Sequence, residues 1–188
     1  MPIIPANSPT MNQGALLMIS HKPLLLTALF AFISLQGLAT NATASDVLTV
    51  KNIGMELARD IANKAVLACR KKGYQVAAVV VDRNGNLQAA LRDDLAARFT
   101  LQLSEKKANL AILAGIPTSE FRKSRGDIRP ELNHIEDLIV LEGGLNIMAG
   151  GYRIGAVGVS GAPGGDIDEA CAKEALEEFE DRLEFATE

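Results

Sequence analysis

The stretch Gly151-Tyr-Arg-Ile-Gly-Ala-Val-Gly-Val-Ser-Gly-Ala-Pro-Gly-Gly-Asp-Ile-Asp-Glu169 decides the fold. Ile154, Val157 and Val159 lie in a glycine-interrupted apolar run, which predicts a strand with very small side chains. Glycine inside a strand marks a close approach by another backbone or by a ligand. Gly161-Ala-Pro-Gly-Gly165 breaks the strand, and Asp166 with Glu169 three residues later reads as a capping-box start to a final helix. A strand passing through a glycine turn into a helix N-terminus offers free N–H groups and a positive dipole end to an anion. Two readings stand side by side here. Either a flat or anionic ligand presses against Ser160, Gly161 and Gly164, or the glycines serve packing while Asp166 satisfies the free donors.

Working outward, Leu138-Ile-Val-Leu141 and Leu145-Asn-Ile-Met148 read as two short strands joined by Gly143-Gly144, with Met148 in the core. Ala149-Gly150-Gly151 turns into the opening stretch, so three strands follow each other through tight turns and must run antiparallel. Further back, Gln75–Asp82 is a β-branched run, and Asn84-Gly85 predicts a hairpin returning through Leu87–Leu91. Arg92-Asp93-Asp94 closes it, with Arg92 poised to pair with Asp94.

Three helices flank these strands. The first spans Asp46–Lys72, with Thr49 as its N-cap, Arg70-Lys71-Lys72 as a solvated basic end and Gly73 as its stop. The second spans Ala96–Leu113, with Phe99, Leu103, Ala108, Leu110 and Ala111 as its apolar side, and is ended by Gly115 and Pro117. Thr118 then caps a short helix, and Arg122, Lys123, Arg125 and Arg129 cluster in a loop. The last helix runs from Ile167 to Phe185. The order predicts an α+β domain: a five-stranded antiparallel sheet with flanking helices.

A formal net charge of -4 gives no basic excess for nucleic acid, and 4% aromatics without Trp leave few surfaces on which bases could stack. Two Cys and two His cannot assemble a zinc site of the usual kind. His21-Lys22, the apolar run Leu24–Leu35 and Ala42-Thr-Ala44 have the n-region, h-region and cleavage pattern of a secretory signal, with Met11 or Met18 as a fitting start. The apolar run is shorter than the ~20 residues a membrane span needs, so cleavage is expected rather than a permanent anchor. The expectation is a signal peptide over 1–44, a single domain over 45–188, and export to the periplasm or the extracellular space. There disulfides persist. Cys69 ends the first helix and Cys171 begins the last, so the two are either bridged or a pair of small buried hydrophobes.

Val81-Asp82-x-x-Gly85, Arg92-x-Asp94, Lys107-Ala108, Gly115-Ile-Pro-Thr118, Gly143-Gly144, Gly155–Gly165 and Asp168-Glu-Ala-Cys-Ala172 together resemble the GlcG/HbpS family, whose domain also ends a cobalamin-related adenosyltransferase. The resemblance covers almost all of 45–188. It implies a profilin-like fold, symmetric homo-oligomers and, in several members, haem binding. Some members are labelled haem-degrading, and a secreted branch has a sensory role beside a membrane receptor. The chain departs from the pattern where the first helix lacks a histidine, at Asn109-Leu110 after Lys-Ala, and at Glu174-Ala-Leu176.

If haem is the ligand, its iron wants His, Met, Tyr or Cys. His134, the only histidine beyond 1–44, is then the axial-ligand candidate, and its alternative is a hydrogen-bonded loop histidine. Thr118 is carried over from the family motif. Arg92 and the Arg122–Arg129 group are the candidates for the propionates. Gly158-Val-Ser160-Gly-Ala162 looks like a nucleophile elbow but lacks the last glycine, and His134 precedes the serine. No catalytic residue is assigned. The reading is an exported small-molecule-binding protein with haem as its ligand. The alternatives are a non-catalytic sensory or interaction module of an exported complex, or an enzyme degrading haem or acting on a small organic acid.

Overall fold

Asn84-Gly85 does make a hairpin, and Asp82 shows why. In this computed structural model, which describes residues 46–185, the Asp82 carboxylate accepts the N–H groups of Asn84 (2.8 Å) and Asn86 (2.9 Å). Gly85 takes φ +90, a left-handed conformation that suits glycine. Strands β1 (Ala77–Asp82) and β2 (Leu87–Arg92) flank the turn as an antiparallel pair. The opening glycine stretch forms β4 (Tyr152–Ser160), which pairs antiparallel with β1 on one side and with β3 (Gly144–Ala149) on the other. The sheet order is β2-β1-β4-β3.

The chain divides into two units, Met1–Leu48 and Thr49–Glu188, and these strands lie in the second. The expected signal segment and its cleavage site lie outside the described residues. Among the described residues no helix is long and apolar enough to cross a membrane.

The sheet has four strands, not the expected five. Leu138–Leu141 is not a strand because its backbone groups find partners locally. Leu138 N–H donates to Ile135 O, Leu141 N–H to Ile139 O, and Val140 N–H to the Asn133 side chain. Val140 itself is fully buried, in a small cluster with Leu110 and Phe121.

Helices α1 (Met55–Lys71) and α5 (Gly165–Glu178) cover one face of the sheet, and α2 (Phe99–Ala114) covers the other. The α1/α5 face holds the main core, including Ile61, Val80, Ile147, Val157 and Val159. Each such side chain taken fully out of water contributes about 1.5–3 kcal/mol. Cys69 and Cys171 meet in this layer as a disulfide that ties α1 to α5.

Several helix boundaries differ from expectation; α2 begins at Phe99 rather than Ala96, whose N–H instead donates to Asp93 O in a turn. The first helix starts at Met55 behind Gly54, with no side-chain cap. Thr49 does not cap it, because the chain before it is extended and Ile53 N–H donates to Ile154 O at 3.0 Å. Thr118 opens α3 (Thr118–Ser124) as its first residue rather than capping it. The last helix breaks at Phe179 into α5 and α6 (Glu180–Phe185). A short 3-10 turn (Gly126–Ile128) and α4 (Arg129–Leu132) complete the elements.

Met148 is 47% exposed rather than in the core, since it stands on an edge strand beside the hairpin turn. Arg92 does not pair with the Asp94 side chain; its guanidinium donates to the carbonyls of Asp93, Asp94 and Ala96. Arg70, expected at a solvated helix end, instead grips buried Asp93 with Nε–Oδ2 2.9 Å and Nη2–Oδ1 2.5 Å. That hydrogen bond, with the guanidinium charge, holds the Asp93 carboxyl below the usual carboxylate range despite its burial.

Candidate functional site

The glycines of β4 determine how α2 sits. A Cβ on Gly158 would collide with the Ser104 carbonyl and lie 2.8 Å from Ala108 N. One on Gly144 would collide with the Lys107 carbonyl and lie 2.7 Å from Thr118 Cγ2. On the other face, a Cβ on Gly155 would lie 2.5 Å from Val81 O. Hence the bare stretch is filled by the chain's own backbone. Of the two readings, packing accounts for Gly155 and Gly158: their close approach is to the chain's own backbone. Gly161 is equally committed, with Gln75 O 2.6 Å from where its Cβ would be.

Bringing α2 this close buries an unusual helix face: Thr100, Ser104, Lys107, Ala108 and Ala111 point inward, while Phe99 is 58% exposed. The polar members must therefore find partners. Ser104 Oγ donates to Ala77 O at 2.9 Å. Lys107 Nζ donates to Val159 O at 2.8 Å and to Asp168 Oδ2 at 2.8 Å. Asp168 Oδ1 accepts the Ala162 N–H at 3.0 Å. Burial raises the Asp168 carboxyl above its ordinary value, and Lys107 only partly offsets this. Lys107–Asp168 is thus a sealed ion pair that joins α2, the end of β4 and the first turn of α5.

A second set of bonds joins α3 to the same corner. Thr118 Oγ1 accepts the Gly144 N–H at 2.9 Å. Ser119 Oγ donates to Glu169 Oε1 at 2.6 Å, and Ser119 N–H (3.3 Å) and Gly143 N–H (3.4 Å) donate to Glu169 Oε2. Glu169 therefore reaches across to α3. The capping box expected of Asp166 and Glu169 is not formed, and Gly164 occupies the cap position with no side-chain bond.

Beside this corner lies a groove of about 320 Å³ between α3 and α5. Leu145 and Ala170 give it an apolar wall, and Lys123 and Lys173 also line it. Of its carboxylates, Glu142 pairs with Arg122 at 3.1 Å and Glu169 is held by the donors just named, while Asp166 also lines it. A larger groove of about 650 Å³ runs between β3, the Gly150-Gly151 turn and α5–α6.

The sequence candidates scatter. Thr118 is fully buried next to the smaller groove, and Ser160 is buried at the end of β4. Gly161 and Gly164 lie in the β4–α5 connection, close to Asp166 and Asp168. Arg92 stands on the far edge strand β2, and His134 is exposed in the turn after α4, lining neither groove. Of the basic cluster expected in a loop, Arg122 and Lys123 lie in α3 and Arg129 opens α4, and only Lys123 lines the smaller groove. Lys107–Asp168 and Ser119–Glu169 escaped sequence reasoning, although Lys107-Ala108 and Asp168-Glu stood among the motifs. Spacings of 61 and 50 residues give no local signal of contact.

An antiparallel sheet with helices on both faces, clamped at one corner by a buried Lys–Asp pair, defines a small α+β domain of the non-Rossmann kind. Residues 53–177 match the family model described as haem degrading protein HbpS-like, and the chain belongs to that family. Protein GlcG of Escherichia coli (strain K12) is 33% identical over 91 residues, covering 48% of this chain and 68% of GlcG. The crystal structure of HbpS superposes with TM-score 0.66 at 35% identity, covering 72% of this chain and 96% of HbpS. The PduOC:heme complex shares the fold at 21% identity and TM-score 0.59, over 67% of this chain and 94% of that one.

Proposed function

We propose that this chain is an exported haem-binding protein and that the groove between α3 and α5 grips the tetrapyrrole by its edge. The observation that carries the reading is the match of residues 53–177 to a family described as haem-degrading. The groove adds an apolar wall at Leu145 and Ala170 for the macrocycle and Lys123 and Lys173 for the propionates, while two of its three carboxylates are already engaged, Glu142 by Arg122 and Glu169 by Ser119 and Gly143. Export is supported by the Cys69–Cys171 bridge, which persists in oxidising compartments.

The residues fit the periphery of haem and not its iron. None of the groove's lining residues is His, Met, Tyr or Cys, the usual axial ligands. The Thr118 hydroxyl is buried and already accepts the Gly144 N–H. Haem supplies redox-active iron when bound; the chain's own residues supply grip and orientation at the carboxylate edge.

Titrating hemin into the purified protein and following the Soret band tests this. Saturable binding is expected, weakened at least about tenfold in Lys123→Glu/Lys173→Glu, a change worth about 1.4 kcal/mol. His134→Ala is expected to leave the affinity unchanged. A flat titration removes haem, and loss of binding in His134→Ala alone moves the site to the loop after α4.

A further inference from the structure

The larger groove has its own chemistry, distinct from the haem reading. Met148, Leu176 and Leu183 form its apolar floor, and Glu177, Glu180 and Glu184 form an acidic rim. Among the described residues Glu180 and Glu184 have no cationic partner, and Glu177 meets only a largely exposed Lys173 at 3.8 Å. The last turn of α5 contains no basic residue, so Glu177 and Glu178 sit at the negative end of the helix dipole. Carboxylates there repel the helix carbonyls, an arrangement that costs stability and concentrates negative potential over an apolar floor. The groove also runs beside β3, an edge strand paired only with β4. A Cβ on Gly151 would meet nothing within 4 Å, so the hairpin end stands open. An open strand edge is a template for adding an extended segment.

We infer that this groove docks an extended basic segment of a partner protein, lying along β3 with lysine or arginine side chains against Glu177, Glu180 and Glu184 and apolar ones on Met148, Leu176 and Leu183. Charge complementarity selects this occupant; the anionic edge of a tetrapyrrole would be repelled here.

The probe is a fluorescein-labelled hexapeptide of alternating lysine and valine, with anisotropy measured against the purified full chain at about 150 mM salt. Saturable binding is expected, weakening as salt rises, and it should fall at least about tenfold in the triple variant Glu177→Gln/Glu180→Gln/Glu184→Gln. A control triple, Glu120→Gln/Glu131→Gln/Glu136→Gln, removes the same charge elsewhere and should bind as the wild type does. A glutamate–valine peptide should not bind. Hemin affinity should fall in neither triple, since loss of Glu177 only frees Lys173 of the haem groove; this separates the inference from the haem reading. The inference is overturned if both triples weaken peptide binding equally, or if the wild type shows no binding. It is also overturned if the groove triple changes the oligomeric state while the wild type ignores the peptide, because the groove is then covered by a second copy of the chain.

Discussion

Replacing Lys107 with methionine should be among the most damaging single changes in the domain. The substitution keeps most of the side-chain volume but removes the ammonium that bonds Val159 O and Asp168 Oδ2, both at 2.8 Å. Asp168, 3% exposed, would then keep only the Ala162 N–H. Removing one partner of a buried pair costs about 3–5 kcal/mol, because the other charge is stranded. For the unit Thr49–Glu188, an unfolding entropy of about 2.1 cal/mol/K per residue converts this to a fall in Tm of about 10–17 °C.

The pH dependence gives the cause. Asp168 is already raised in the folded protein, and without Lys107 it rises further. A raised folded value contributes stability that is present below the unfolded pKa of about 3.9 and is lost as pH rises through the folded value. The Lys107→Met deficit should therefore shrink as pH is lowered from about 8 to about 5, as the stranded carboxyl takes up a proton. Replacing both partners, Lys107→Met/Asp168→Leu, should recover much of the loss. Thermal melts by circular dichroism across pH decide it. A deficit below about 1 kcal/mol that is also flat with pH would refute the account of a sealed pair.

Gly158→Ala drives a Cβ into the backbone of α2 at Ser104 and Ala108, so it should cost about 3 kcal/mol or more, and a wild-type Tm would mean that α2 sits further away. The Cys69–Cys171 bridge closes a loop with a sequence separation of 102, so Cys69→Ser/Cys171→Ser should lose about 2–5 kcal/mol in a denaturant titration. Thiol counting on the wild type under denaturing, non-reducing conditions should find no free thiol at these two positions. Asp93, lowered by its hydrogen bond to Arg70, contributes stability present above the unfolded pKa of about 3.9 and lost as pH falls through its lower folded value. Acid melts of Asp93→Asn should therefore fall less steeply below about pH 4 than those of the wild type, and parallel curves would rule out the linkage.

The strands were legible where the local chemistry is self-sufficient. Asn84-Gly85 after the β-branched run Gln75–Asp82, and glycine turns on either side of Leu145–Met148, carry their geometry in the backbone. Leu138–Leu141 misleads because an apolar run of four is compatible with any buried conformation, and here Asn133 and Ile135 take up its donors. The glycines of β4 did signal a close approach, but they did not say by what. The approaching group is helix α2, and its buried face of Thr100, Ser104 and Lys107 violates the apolar pattern that usually reveals a core side. Long-range polar partners such as Lys107–Asp168 have no periodic signature. They become visible only when the sheet brings Gly158 under Ser104.

The proposed groove would hold a tetrapyrrole by its carboxylate edge rather than by its iron. Comparing the affinities of hemin and iron-free protoporphyrin IX for the same protein tests that claim most directly. The two are expected to bind within about threefold of each other, a difference of under 1 kcal/mol. Hemin binding at least about thirtyfold tighter, with the porphyrin indifferent to Lys123→Glu/Lys173→Glu, would contradict it.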